Sequence, residues 1–145
     1  MSSEFPELTS FGTLFIYAGA LEKALESLAT AAAGAAVPDT AAKTLKTAIR
    51  KHGKRATQLA NMRRERLNEV VLQPLAGMDR EVYLPPGELP ADPTAALAIL
   101  AEAEQTAARF YDDAADLGGD VLMGVDKTFR KFGVQSREWA GALTG

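Results

Sequence analysis

The sequence predicts an all-α protein, a bundle of four helices. Alanine is abundant, aromatic residues make up only 7% of the chain, and clusters of strand-favouring residues are scarce, so the composition leans towards helix. Apolar residues recur at three- and four-residue steps through four segments. The prolines gather between those segments, where helices must end.

The first helix is expected over residues 8–35, with Thr9 or Ser10 as its N-cap and a stop before Val37-Pro38. Asp39 and Thr40 offer caps for a second, over 40–70. Its apolar positions Leu45, Ala48, Ile49, Ala56, Leu59, Ala60 and Leu67 mark one face. Residues 71–92 hold Pro74, Pro85, Pro86, Pro90, Gly77 and Gly87, which argue against regular helix and leave a long crossover. Asp92-Pro93 starts a third helix over 93–117, closed by Gly118-Gly119. The fourth runs over 120–143, with Gly133 as a kink or weak point. A short link, a long link and a short link make antiparallel neighbours at each end of the chain, with a middle stretch able to travel the length of a bundle. The same pattern allows an up-down bundle with a loose middle linker, or helices exchanged between chains. The apolar crossover residues Val70, Val71, Leu72, Leu75, Met78, Val82, Tyr83 and Leu84 are expected to pack across the bundle or against a second subunit.

At 145 residues the chain is a single domain, 1–145, able to bury a core without metal or disulfide staples. The absence of cysteine excludes a disulfide framework, a thiol nucleophile and a Cys-ligated iron centre. The N-terminus has no basic region followed by an apolar one, and no apolar run is long enough for a bilayer, so a cytoplasmic protein without membrane contact is expected. Net charge is −3, unevenly spread: residues 43–66 hold nine of the sixteen Lys/Arg and a single acid, Glu65.

One run is specific. Glu104-Gln-Thr-Ala107-Ala-Arg-Phe110-Tyr111-Asp-Asp-Ala114-Ala115 resembles the third helix of the rubrerythrin branch of the ferritin-like superfamily, where E-x-x-A-x-x-F-Y-x-x-A-A carries an inward iron-binding Glu. The resemblance implies a ferritin-like four-helix bundle with its long crossover between helices 2 and 3. Di-iron bundles of this kind take one Glu from each of two helices and a Glu-x-x-His pair from each of the other two. This chain has one histidine, His52, and no Glu-x-x-His. By hand alignment the pairs have become His52-x-x-Arg55 in the second helix and Ser136-x-x-Trp139 in the fourth. In the first helix, matching Ala24, Leu28 and Ala31-Ala32 to Ala107, Tyr111 and Ala114-Ala115 sets Leu21 at the place of Glu104. Of the six ligand positions only Glu104 keeps an acid, and His52 replaces a Glu.

Glu104 shares a helical face with Leu97, Leu100, Ala101, Ala107, Ala108 and Tyr111, so it points inward or sits at the edge of that face towards water. An inward carboxylate needs a partner. Arg55, at the position of a family metal-binding His, is expected to pair with Glu104 where iron would sit; otherwise it belongs to the solvated basic face. The vestigial site is therefore Glu104, His52, Arg55 and Tyr111. No metal is expected, because Arg55 and Lys51 would repel a divalent ion; if one binds, its ligands are Glu104, His52 and Glu22. Phe110, Tyr111, Phe129, Phe132 and Trp139 read as packing residues, and Asp112-Asp113 as solvent-facing.

Lys43, Lys46, Arg50, Lys54, Arg63, Arg64 and Arg66 form a surface for anions, with an acidic protein partner favoured. Nucleic acid is not expected, since no aromatic interleaving or helix-turn-helix spacing accompanies the charges. A homodimer is expected. No Gly-x-Ser-x-Gly elbow supports a triad around His52, and Gly118-Gly119-Asp120 is too short for a phosphate loop. The expected function is a non-enzymatic structural or interaction protein whose di-iron centre is lost, with no cofactor. The alternatives are a rubrerythrin-like di-iron oxidoreductase or iron-handling protein with atypical ligands, carrying iron, and a nucleic-acid-associated bundle working through its basic second helix.

Overall fold

A computed structural model describes residues 4–65, 73–118 and 124–144. In it the chain forms four α-helices, α1 (Phe11–Ala33), α2 (Asp39–Glu65), α3 (Pro93–Gly118) and α4 (Val125–Thr144), and no strand among the described residues. No helix among them is long and apolar enough to cross a membrane.

Ser10, one of the two expected caps, caps the first helix, which therefore starts at Phe11 rather than at residue 8. The Ser10 hydroxyl accepts the Thr13 amide at 3.2 Å, and the Thr13 hydroxyl accepts the Ser10 amide at 3.0 Å. This reciprocal pair satisfies amides that the first turn leaves free. Leu8 and Thr9 stay outside the helix for a second reason. The Leu75 amide donates to the Thr9 carbonyl, and the Phe11 amide to the Gln73 carbonyl, each at 3.0 Å, tying the start of α1 to the segment that follows α2. The fourth helix also starts late, since Gly124 (φ 89°) adopts a left-handed conformation that α-helix does not allow. Arg66, Leu67, Val70, Val71 and Leu72, and Gly119 and Asp120, lie outside the described residues.

α1 and α2 are antiparallel, as are α3 and α4, where Asp112 meets Arg137 at 2.6 Å and Asp116 meets Arg130 at 2.7 Å. α3 also runs opposite to α1: Tyr17 stacks on Phe110 (centroids 5.2 Å apart), whereas Leu28 and Ala96 lie at the other end. α2 and α3 therefore point the same way.

Residues 73–92 lie along α1 from its start to its end. The Tyr17 hydroxyl donates to the Arg80 carbonyl (2.6 Å), Arg80 donates to the Phe5 carbonyl (3.1 Å), and the Tyr83 hydroxyl donates to Asp113 (2.6 Å). Farther on, Gly87–Ala91 border Ser27–Ala35. Leu75, Met78 and Tyr83 are buried within this chain, while Val82 is exposed. Asp113 is thus engaged by Tyr83, and Asp112 by Arg137, so the pair is less free in solvent than expected.

Gly133 is not a break: α4 passes through it without interruption. A Cβ there would stand 3.1 Å from Asp112 Oδ1 and 3.5 Å from the Ala108 carbonyl, so glycine lets α4 approach α3 closely.

A buried ion network as candidate functional site

The side chains that fill the middle of a helical bundle are set by spacing. On α2 the buried residues are Ala41, Leu45, Ala48, His52, Arg55 and Leu59, alternating steps of three and four that keep one stripe inward. His52 and Arg55 belong to that stripe although both can carry charge. α3 buries Leu97, Leu100, Ala101, Glu104, Ala107, Ala108 and Tyr111 by the same logic, and α4 buries Phe129, Phe132, Ser136 and Trp139. α1 contributes Glu22, between Leu21 and Leu25. Glu22, His52, Glu104 and Ser136 are 0% exposed and Arg55 is 2% exposed. Water is excluded, so each polar atom must find its partner inside the protein.

His52 lies between two acids. Its Nδ1 is 2.5 Å from Glu22 Oε1 and its Nε2 is 2.6 Å from Glu104 Oε2. An ionised carboxylate only accepts hydrogen bonds, so two carboxylates flanking one imidazole require a proton on each ring nitrogen. Burial pulls the His52 pKa down, but the charge of Glu22 and hydrogen bonds to Glu104 and Glu22 outweigh it and push it up to about 9. For Glu22, burial favours the neutral acid. The charge and hydrogen bond of His52, the Arg55 cation and the Tyr111 hydroxyl prevail and hold it below the usual carboxylate range. Tyr111 donates its hydroxyl to Glu22 Oε2. Burial, followed by the charge of Glu22, pushes its phenol well above the ordinary value.

Arg55 fills the other half of the pocket. Its Nη1 donates to Ser136 Oγ at 3.0 Å and reaches Glu22 Oε2 at 3.4 Å. Its Nη2 donates to the Phe132 carbonyl (2.9 Å) and to Gln135 Oε1 (3.0 Å). The guanidinium carbon lies 4.5 Å from the Phe132 ring centre and 4.6 Å from that of Trp139, both within cation–π range. Trp139 also meets His52 edge-on at 5.0 Å. Within this pocket two buried polar atoms of the described residues have no hydrogen-bond partner, Arg55 Nε and Glu104 Oε1.

The expected vestigial residues Glu104, His52, Arg55 and Tyr111 all meet here, but their pairing differs from expectation. Arg55 does not neutralise Glu104; His52 does, while Arg55 turns to Glu22 and α4. His52 sits one turn before Arg55 on α2 and occupies the space facing Glu104. Leu21, which the resemblance set at the place of Glu104, is not the α1 residue that meets this network. Leu21 belongs to the hydrophobic core, and the acid that enters the pocket is Glu22. Phe132 was expected only as packing and Gln135 was not singled out, since a backbone carbonyl as a guanidinium acceptor leaves no trace in a sequence.

On the surface, Lys43, Lys46, Arg50, Lys54 and Arg64 are exposed and Arg63 is half-buried; Arg66 lies outside the described residues. The surface ion pairs of the described residues use Arg80, Arg109, Arg130 and Arg137 instead. The Lys51 pKa is lowered, chiefly by the neighbouring Lys54 and then by slight burial, Arg50 and Lys131 of α4. Positive charge therefore accumulates along this edge.

No protein-family model, curated protein or solved structure matches the chain. Among the described residues, no group of three or more His, Cys, Asp or Glu is arranged to hold a metal ion.

Proposed function

We propose that this chain is a ferritin-like bundle in which a buried ion network stands in place of a di-iron centre, and that it acts as a non-enzymatic structural or interaction protein. The observation that carries this reading is the Arg55 guanidinium inside the pocket, at the position the resemblance gives to a metal-binding His, bonded to Glu22 and Ser136. Further support comes from five of the six positions the resemblance picks out: His52, Arg55, Glu104, Ser136 and Trp139 converge on one volume, where Glu22, the neighbour of Leu21, supplies the acid of α1. The common direction of α2 and α3, and the stretch lying along α1, fit a long crossover between helices 2 and 3.

The residues do not fit a pair of irons. Two carboxylates and one imidazole are too few donors, both imidazole nitrogens are already engaged by acids, and a fixed cation faces one of those acids. The row of cations on α2 is read as the contact surface for an acidic protein partner. The test is elemental analysis of protein purified from an iron-supplemented culture. Metal far below one equivalent per chain is expected; two irons per chain would overturn the reading.

A further inference from the structure

α1 turns a second face away from the core, and apart from Lys23 and Ser27 that face is small or apolar. Ile16, Gly19, Ala20 and Ala24 follow one another along it, and with Ala56 and Ala60 of α2 they line a groove of about 1190 Å³. Leu84 and Pro85 close one side.

Three observations mark it as a candidate binding site. First, Gly19 lies in the middle of α1, where glycine is unfavourable. A Cβ there would meet nothing within 4 Å, so no internal contact calls for glycine, unlike Gly133. Secondly, Ile16, one turn away, is a large apolar side chain left 42% exposed. Thirdly, the groove is bordered by the cations Lys23, Arg63 and Arg64, with Glu4 as its acid. Cations beside an apolar channel call for an anionic group attached to something apolar.

We propose that this groove binds a single-chain anionic amphiphile, an acyl chain with a carboxylate head. The head accepts from Arg63, and the chain lies over Gly19 and Ala20 towards Ala24. The cations Lys23, Arg63 and Arg64 around an otherwise largely apolar lining favour this occupant. The site lies apart from the buried ion network and does not depend on the metal-free reading.

Calorimetric titration with submicellar oleate, and with oleyl alcohol of the same chain length, tests it. Oleate is expected to bind once per chain, at least tenfold more tightly than the alcohol. Arg63→Gln should remove that difference. Gly19→Leu fills empty space and should weaken oleate tenfold or more while leaving the helical circular dichroism unchanged. Ala60→Leu, which fills the groove from α2, provides the same test should Gly19→Leu fail to fold. Equal binding of acid and alcohol, oleate binding unaffected by both filling variants, or no binding at all would each overturn the proposal. So would light scattering that shows a dimer broken by Gly19→Leu, because the occupant would then be a second copy of the chain.

Discussion

Glu22 of α1 and Glu104 of α3 are joined through one imidazole, with His52 Nδ1 2.5 Å from the first and Nε2 2.6 Å from the second. Each contact requires a proton, and the site is closed to water. Folding and protonation are therefore linked through this ring.

The pH profile of stability should show that linkage. The His52 pKa is about 9 when folded against 6.5 when exposed, so its contribution is complete below about pH 6.5 and is lost as the pH rises through 9. Glu22 is held below the usual range, so its contribution is complete above the ordinary carboxylate pKa and is lost as the pH falls through the lowered value. Thermal unfolding should give the highest Tm between about pH 5 and 6.5. The alkaline fall should amount to about 3 kcal/mol, from 1.4 kcal/mol per unit of the His52 shift. His52→Gln should flatten it; a profile level from pH 6 to 10 in the unmodified protein would contradict the assignment.

Arg55→Ala should be among the most damaging single changes. It strips Glu22 of a cation and leaves Ser136, Gln135 and the Phe132 carbonyl without their donor. Removing one side of a buried pair costs roughly 3–5 kcal/mol. Urea unfolding measures this directly, and an unchanged midpoint would show that the guanidinium is not held inside.

Tyr111→Phe keeps the ring and deletes the hydroxyl that Glu22 accepts. A hydrogen bond to a charged group contributes about 1.5–3 kcal/mol. Its loss should also let the Glu22 pKa rise, moving the acid limb of the stability profile to higher pH. A uniform loss with no shift of that limb would place the hydroxyl elsewhere.

If the ferritin-like placement is right, a metal centre can be written back. Combining His52→Glu, Arg55→His, Ser136→Glu and Trp139→His restores Glu-x-x-His to α2 and α4, with Glu22 and Glu104 already present. The variant should bind about two cobalt ions per chain, seen by visible absorption, whereas the parent should not. A folded variant that takes up no cobalt argues against the placement.

The helical pattern was written in the chain. Repeating steps of three and four residues determined the four helices, and the prolines between Gln73 and Asp92 determined a stretch without α-helix. The same spacing held the membership of the pocket, because Leu45, Ala48, His52, Arg55 and Leu59 share one stripe whatever their polarity. Ser10 was legible as one of two caps, but its choice over Thr9 depends on the contact between Thr9 and Leu75, and the start at Val125 on the conformation of Gly124.

Which acid meets which base was decided only by tertiary structure. Periodicity within a helix tells which side faces inward, but not how far one helix slides along or rotates about its axis relative to the next. Leu21 and Glu22 are neighbours about 100° apart on α1, and both are buried. Only the packed rotation of α1 turns the acid, rather than the leucine, towards His52. The axial level of α2 then brings the imidazole, rather than the guanidinium, to Glu104.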